Sequence, residues 1–115
     1  MRNSKDIQVV LAQFERAAFQ HSLATEVGNY KVANKNYCLI EESVAALRNS
    51  GRLQLLSRFL SHDSIAVQVW AATYLLSVDE VAATATLEKI VKEEGFLSLE
   101  AETVLLEWRN GNLKP

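Results

Sequence analysis

The stretch Ser64-Ile65-Ala66-Val67-Gln68-Val69-Trp70-Ala71-Ala72-Thr73-Tyr74-Leu75-Leu76-Ser77 decides the fold. Wound on a period of 3.6 residues, its apolar side chains fall on every side, and only Ser64, Gln68, Thr73 and Ser77 interrupt them. A helix of that kind is stable only when neighbours cover most of its circumference, so it belongs at the centre of a domain. It is far shorter than the ~20 apolar residues a bilayer span requires. Asp63 or Ser64, at its start, supplies the capping oxygen.

Five more helices follow outward from this one. The first begins near Ser4 and aligns Ile7, Val10, Leu11, Phe14, Ala17 and Ala18 on one face. The second is capped by Asn29 and aligns Ala33, Tyr37, Ile40, Val44 and Leu47. A short third helix, about Leu53 to Leu60, presents Leu53, Leu56, Phe59 and Leu60. The fourth is the quoted stretch. The fifth starts at Asp79 with Ala83, Leu87, Ile90 and Val91 on its face; the sixth, capped by Ser98, shows Ala101, Val104, Leu105 and Trp108. Gly28, Gly51, Gly95 and Gly111 each follow a helical segment, where a residue of positive φ ends a helix without a Cβ penalty. The single proline is Pro115, and no alternating β-branched run or hairpin dipeptide occurs. The predicted class is all-α.

An internal repeat orders the six helices. Ala71-Ala72-Thr73-Tyr74-Leu75-Leu76 matches Ala101-Glu102-Thr103-Val104-Leu105-Leu106 at an offset of 30 residues. Leu56, Phe59 and Leu60 match Leu87, Ile90 and Val91 at an offset of 31. Helix pairs repeating at this distance point to a short α-solenoid of three antiparallel hairpins, with an irregular six-helix bundle as the alternative.

Composition bounds the rest. The 115 residues are 49% hydrophobic and 23% charged, which predicts one domain over residues 1–115 and excludes a disordered or low-complexity chain. The N-terminal stretch through Arg16 interleaves charges with its apolar residues and has no small-residue cleavage site, so it does not read as a secretory signal. One cysteine, Cys38, forms no internal disulfide and fits a reducing cytoplasm. Net charge is −2, unevenly placed. Residues 1–60 hold eight Lys or Arg against five Asp or Glu, and residues 61–115 hold four against nine. The acidic half includes Glu80, Glu88, Glu93, Glu94, Glu100, Glu102 and Glu107 and suits a basic partner. Internal pairs, such as Glu88 with Lys92 and Lys89 with Glu93, are its other reading.

Residues that carry chemistry are sparse. Ser61-His62-Asp63 has the residue types of a hydrolase triad, but adjacent residues cannot converge as three separate elements do. His21, on the apolar face of the first helix, reads as a packed ring, and two histidines with one cysteine offer no zinc spacing. Cys38 lies toward the polar side of the second helix, with Lys31 and Lys35 near it in sequence; it reads as a structural thiol. Glu41-Glu42 and Glu93-Glu94 diverge by about 100° on a helix and form no dyad. Every glycine is used at a helix end, so no phosphate loop is available, and a pI of 5.7 argues against nucleic acid. The expectation is a protein that is not an enzyme and uses no cofactor or metal.

Surplus apolar residues are more telling. Leu99 and Leu106 share a face of the sixth helix opposite Ala101, Val104 and Trp108, and Phe19 and Leu23 point away from the Ile7–Phe14 face of the first. Either neighbouring helices or the tail Asn112-Leu113-Lys114-Pro115 cover them, or a partner or second copy does.

Two resemblances sharpen this reading. Leu53 to Leu56 followed by Val67 to Leu76 resembles a HEAT-type repeat, a leucine-rich helix, an Asp-containing turn and then Val-x-x-x-Ala-Ala-x-x-Leu-Leu. From about Phe14 to Gly111 the chain also resembles the small bacterial HEAT-like domain-of-unknown-function family 2019, through Ala33-Asn34-Lys35-Asn36-Tyr37, Val67 to Leu76, and Ala101 to Gly111. Members of that family have been linked with immunity proteins of toxin systems. The resemblance therefore implies a bacterial protein that binds a cognate toxin domain and blocks its active site or partner surface. Repeats of this type often carry Arg directly after the first Val of the second helix, where this chain has Gln68. An Asp63–Arg pair across the turn is thereby unavailable.

These observations predict a cytoplasmic protein-interaction module without membrane or nucleic-acid contacts. The expected binding residues are Leu99, Glu100, Glu102, Leu106 and Glu107, with Trp70 as an aromatic anchor or, alternatively, a core residue. The competing expectation is a homo-oligomeric scaffold, such as a homodimer, in which Leu99, Leu106, Phe19 and Leu23 close a symmetric interface.

Overall fold

The computed structural model describes the backbone of residues 4–115 and the side chains of residues 7–115. Its elements, in chain order, are α1 (Ser4–Glu26), α2 (Tyr30–Asn49), a 3₁₀ helix (Leu53–Ser61), α3 (Ile65–Leu75), α4 (Glu80–Val91) and α5 (Phe96–Arg109). No strand occurs among the described residues, and the chain is all-α. No described helix is long and apolar enough to cross a membrane. Two compact units divide the chain, Met1–Leu53 and Gln54–Pro115.

In the first unit α1 packs against α2. Ile7, Leu11, Phe14, Ala17 and Ala18 are buried on α1, and Val10 is half-buried. On α2 the buried set is Ala33, Asn36, Ile40, Ser43, Val44 and Leu47. Tyr37, expected on that face, is exposed, and Asn36 takes the inward position one residue earlier. At about 100° per residue the stripe 33, 36, 40, 43, 44, 47 is centred between the directions of Ala33 and Asn36, and Tyr37 falls just outside its edge, beyond Val44. Asn36 meets the cost of a buried amide by donating from Nδ2 to the Val32 carbonyl at 3.0 Å. Ser43 donates to the Leu39 carbonyl at 3.0 Å and accepts from Gln13 Nε2 of α1 at 2.9 Å, so a polar clasp joins the two helices. Gln13 Nε2 also lies 3.2 Å from the Leu39 carbonyl and 3.0 Å from Glu42 Oε1.

The turn between α1 and α2 shows how a sequence signal becomes geometry. Gly28 has φ +75°, the left-handed region that costs a residue with a Cβ about 1 kcal/mol or more. That conformation lets the Gly28 N–H reach the Thr25 carbonyl at 3.1 Å and the Asn29 N–H reach the Ala24 carbonyl at 2.8 Å. Asn29 Oδ1 then accepts from the Val32 N–H at 3.2 Å and starts α2. The same pair of closing bonds ends α2 around Gly51 and α5 around Gly111.

In the second unit α3 packs against both α4 and α5, and α4 packs against α5. Ala66, Val67, Val69, Ala71, Ala72, Tyr74 and Leu75 of α3 are all buried. Each large aliphatic side chain removed from water there contributes about 1.5–3 kcal/mol. The stretch predicted to be central is covered as expected. Ala83, Leu87 and Ile90 of α4, with Ala101 and Leu105 of α5, supply much of the opposing surface. Ser64 caps α3, its hydroxyl accepting from the Val67 N–H at 3.4 Å, and Asp79 caps α4, its carboxylate accepting from the Ala82 N–H at 3.2 Å.

Two helices differ from expectation. The third helix is of the 3₁₀ type, and its buried residues Leu53, Leu56 and Phe59 recur every three positions, the period at which 3₁₀ side chains eclipse. The last helix starts at Phe96, two residues before the expected cap. Gly95 stands at its N-cap with φ +119°, and Ser98, inside the first turn, donates its hydroxyl to the Gly95 carbonyl at 2.7 Å. A helix entered through that backbone needs no side-chain cap at Ser98.

Candidate partner-binding face

The predicted binding residues of the last helix come together because α5 turns one stripe inward and the opposite stripe outward. Ala101 and Leu105 are buried and Val104 and Trp108 half-buried. On the far side Leu99 is 64% exposed and Leu106 56% exposed, and Thr103 between them is exposed. Starting the helix at Phe96 adds a fourth member, 41% exposed, so residues 96, 99, 103 and 106 form one line at spacings of three, four and three. The helical spacing contained this signal. It escapes a reading that begins the helix at Ser98.

Glutamates border the line on both sides. Glu102 lies on the flank toward α4, and Glu100 and Glu107 lie on the other; Glu107 is half-buried and the other two are exposed. On the α4 side an open cleft of about 620 Å³ separates the two helices. Val91, Leu105 and Leu106 form its apolar floor, and Glu88, Lys92, Glu102 and Arg109 its charged rim. Of the predicted residues, Leu106 therefore belongs to both the line and the cleft, and Glu102 to the border and the cleft. Lys92 and Arg109 are rim cations that the acidic composition of this half conceals.

Part of the acidic charge is used internally. Arg109 pairs with Glu88 at 2.7 Å, and Trp108 Nε1 donates to Glu80 Oε2 at 2.9 Å. Both contacts tie the C-terminal end of α5 to α4. Glu88 thus has a partner across the helix pair, rather than the Lys92 suggested by i, i+4 spacing. With the Arg109 and Glu88 side chains 55% and 53% exposed, this bridge is worth at most about 1 kcal/mol.

Trp70 stands apart from this constellation. It sits on α3, half-buried, stacked on Tyr74 four residues later with ring centroids 6.2 Å apart and planes 18° from parallel. It does not line the cleft.

The Ser61-His62-Asp63 turn is structural in its geometry. His62 Nδ1 accepts from the Ser64 N–H at 2.9 Å, and the ring meets Phe59 edge-on at 6.0 Å. Gln68, 8% exposed, donates from Nε2 to the His62 carbonyl. Gln68 therefore bridges the turn through a neutral hydrogen bond. Cys38 is exposed. Among the described residues no group of three or more His, Cys, Asp or Glu could hold a metal ion.

No family model matches the chain, and no curated protein matches it. Among solved structures, the chain is similar to the protein RPA1889 from Rhodopseudomonas palustris CGA009, with 22% identity and a TM-score of 0.87 over 95% of this chain and 93% of that one. At this identity the likeness is one of fold: the same helical architecture has been solved by crystallography in a bacterial protein.

Proposed function

We propose that this chain is a non-enzymatic protein-interaction module of the bacterial immunity type, which binds a cognate toxin domain and neutralises it. The observation that carries the proposal is the outward line of α5, where Leu99 and Leu106 stand 64% and 56% exposed between glutamates. Water contact with side chains of that size is unfavourable by roughly 25 cal/mol per Å², and a partner that covers them recovers it. The acidic border adds orientation and speed of encounter with a basic surface. The resemblance to the HEAT-like family supports the toxin as that partner, and the helical-repeat arrangement of the chain is part of the same proposal.

Co-expression with the protein encoded beside it in its own host tests this. The expected result is a stoichiometric complex together with relief of the neighbour's toxicity. Separate elution of the two proteins with undiminished toxicity overturns it.

A self-associating scaffold is the second reading, favoured by Phe19 and Leu23, each 43% exposed on the outer side of α1. Sedimentation at rising concentration distinguishes the two readings. A dimer abolished by Phe19→Ser with Leu23→Ser selects the scaffold.

A further inference from the structure

The α5 line has the pattern of a two-heptad coiled-coil seam, and its borders specify what can lie against it. With Phe96 and Thr103 at the first core position of each heptad, Leu99 and Leu106 fall at the second. The flanking positions that face a partner helix are then Glu100 and Glu107 on one side and Glu102 and Arg109 on the other. Arg109 is already engaged by Glu88 at 2.7 Å, so the remaining flanking positions of the seam are three glutamates; Lys92 stands on the cleft rim with Glu102.

We propose that this seam is the docking surface for an amphipathic helix of another protein, apolar along one stripe and bearing Lys or Arg on both sides of that stripe. The inference rests on the interaction-module reading and names the partner's chemistry. Fourteen residues of α5 give a seam about 21 Å long, enough for a helix of three to four turns. A second copy of α5 is a poor occupant. In parallel or antiparallel register it sets glutamate against glutamate at the flanking positions, where like charges destabilise a helix pair. A basic helix turns the same three positions into attractive contacts.

The probe is a 21-residue peptide with Leu at both core positions, Lys at both flanking positions and Gln or Ala elsewhere, used below the concentration at which it self-associates. Its fluorescence anisotropy is titrated with the full chain, beside a control peptide with Glu in place of Lys. The Lys peptide is expected to bind at least tenfold more tightly than the control. The triple variant Glu100→Lys, Glu102→Lys, Glu107→Lys should reverse that preference, and Leu99→Ala with Leu106→Ala should weaken the Lys peptide about tenfold or more. Amide hydrogen exchange of the unmodified chain should show peptide-dependent protection over Phe96–Arg109, a readout that requires no variant to fold.

Absence of binding, unchanged affinity in both variants, or protection confined to α1 overturns the proposal. So does a dimer of the chain alone that Leu99→Ala with Leu106→Ala dissolves. A toxin captured through another surface overturns this inference and leaves the immunity reading standing. Peptide bound at α5 with no toxin relieved supports the seam while removing that reading.

Discussion

Substitution of Gln68 by Ala tests whether its amide holds the turn that enters α3. The side chain is 8% exposed, its amide donates to the His62 carbonyl, and that carbonyl belongs to the turn entering α3. Removing the amide forfeits a hydrogen bond worth about 1 kcal/mol net. Losing the buried methylene adds about 0.8 kcal/mol. The expected destabilisation is therefore about 2 kcal/mol. With an unfolding entropy of ~2.1 cal/mol/K per residue, 115 residues unfolding together would lower Tm by about 8 °C. If residues 54–115 melt as a separate unit, the same energy spread over that shorter segment lowers its own Tm by about 15 °C. Urea and thermal denaturation followed by far-UV circular dichroism measure both quantities. Gln68→Met, which retains the volume but not the donor, should recover roughly half of the loss. A Gln68→Ala variant within about 0.5 kcal/mol of the parent refutes the bridging argument, because a change that small is ordinary for a surface site.

Three further outcomes follow from the same packing and hydrogen bonds. Gly28→Ala should destabilise by about 1 kcal/mol in a denaturant melt, since φ is +75° and a Cβ there meets nothing within 4 Å, which leaves backbone conformation as the whole cost. Leu87→Ala, at a fully buried position of α4, should cost about 2–5 kcal/mol in the same assay, whereas Leu99→Ala should change stability by less than about 0.5 kcal/mol. Trp108→Phe removes the indole donor to Glu80 at an exposed contact and should cost no more than about 1 kcal/mol beyond its packing loss, measured against a Glu80→Gln partner in a double-mutant cycle.

Much of the architecture is readable from local chemistry. The Asn29 and Asp79 caps, Ser64 as one of two cap candidates and the positive φ of the four glycines follow from residue type and position, because caps and left-handed turns are short-range requirements. The central place of α3 follows from its apolar circumference. The discrepancies arise where two conformations satisfy one pattern. Leu53, Leu56 and Phe59 suit an α-helix with one short step or a 3₁₀ helix with none, and the observed spacing of three was the distinguishing mark. Ser98 resembles a cap, but a glycine three residues earlier allows the backbone to enter α5 unaided. Asn36 is buried and Tyr37 exposed although 33, 37, 40, 44 and 47 keep a regular helical spacing; the buried amide is tolerated because the Val32 carbonyl accepts from it. On the candidate face, Leu99 and Leu106 were readable as surplus apolar residues. Phe96 depended on the helix boundary, and the Glu88–Arg109 pair depended on how α4 and α5 pack, which no i, i+4 rule contains.

The covering of α3 also has a consequence for synthesis. Its partners α4 and α5 lie C-terminal to it, so the most apolar helix of the second unit is synthesised before the two helices that pack against it. About 33 residues separate the end of α3 from the end of α5, an interval of roughly 2–7 s at ~5–20 residues per second. Until α4 and α5 are in place, Val67, Val69, Leu75 and Leu76 lack surface that covers them in the finished fold. A chain cut short before Phe96 never gains the α5 part of that cover, and it should be retained by chaperones or degraded, while the full-length product is released.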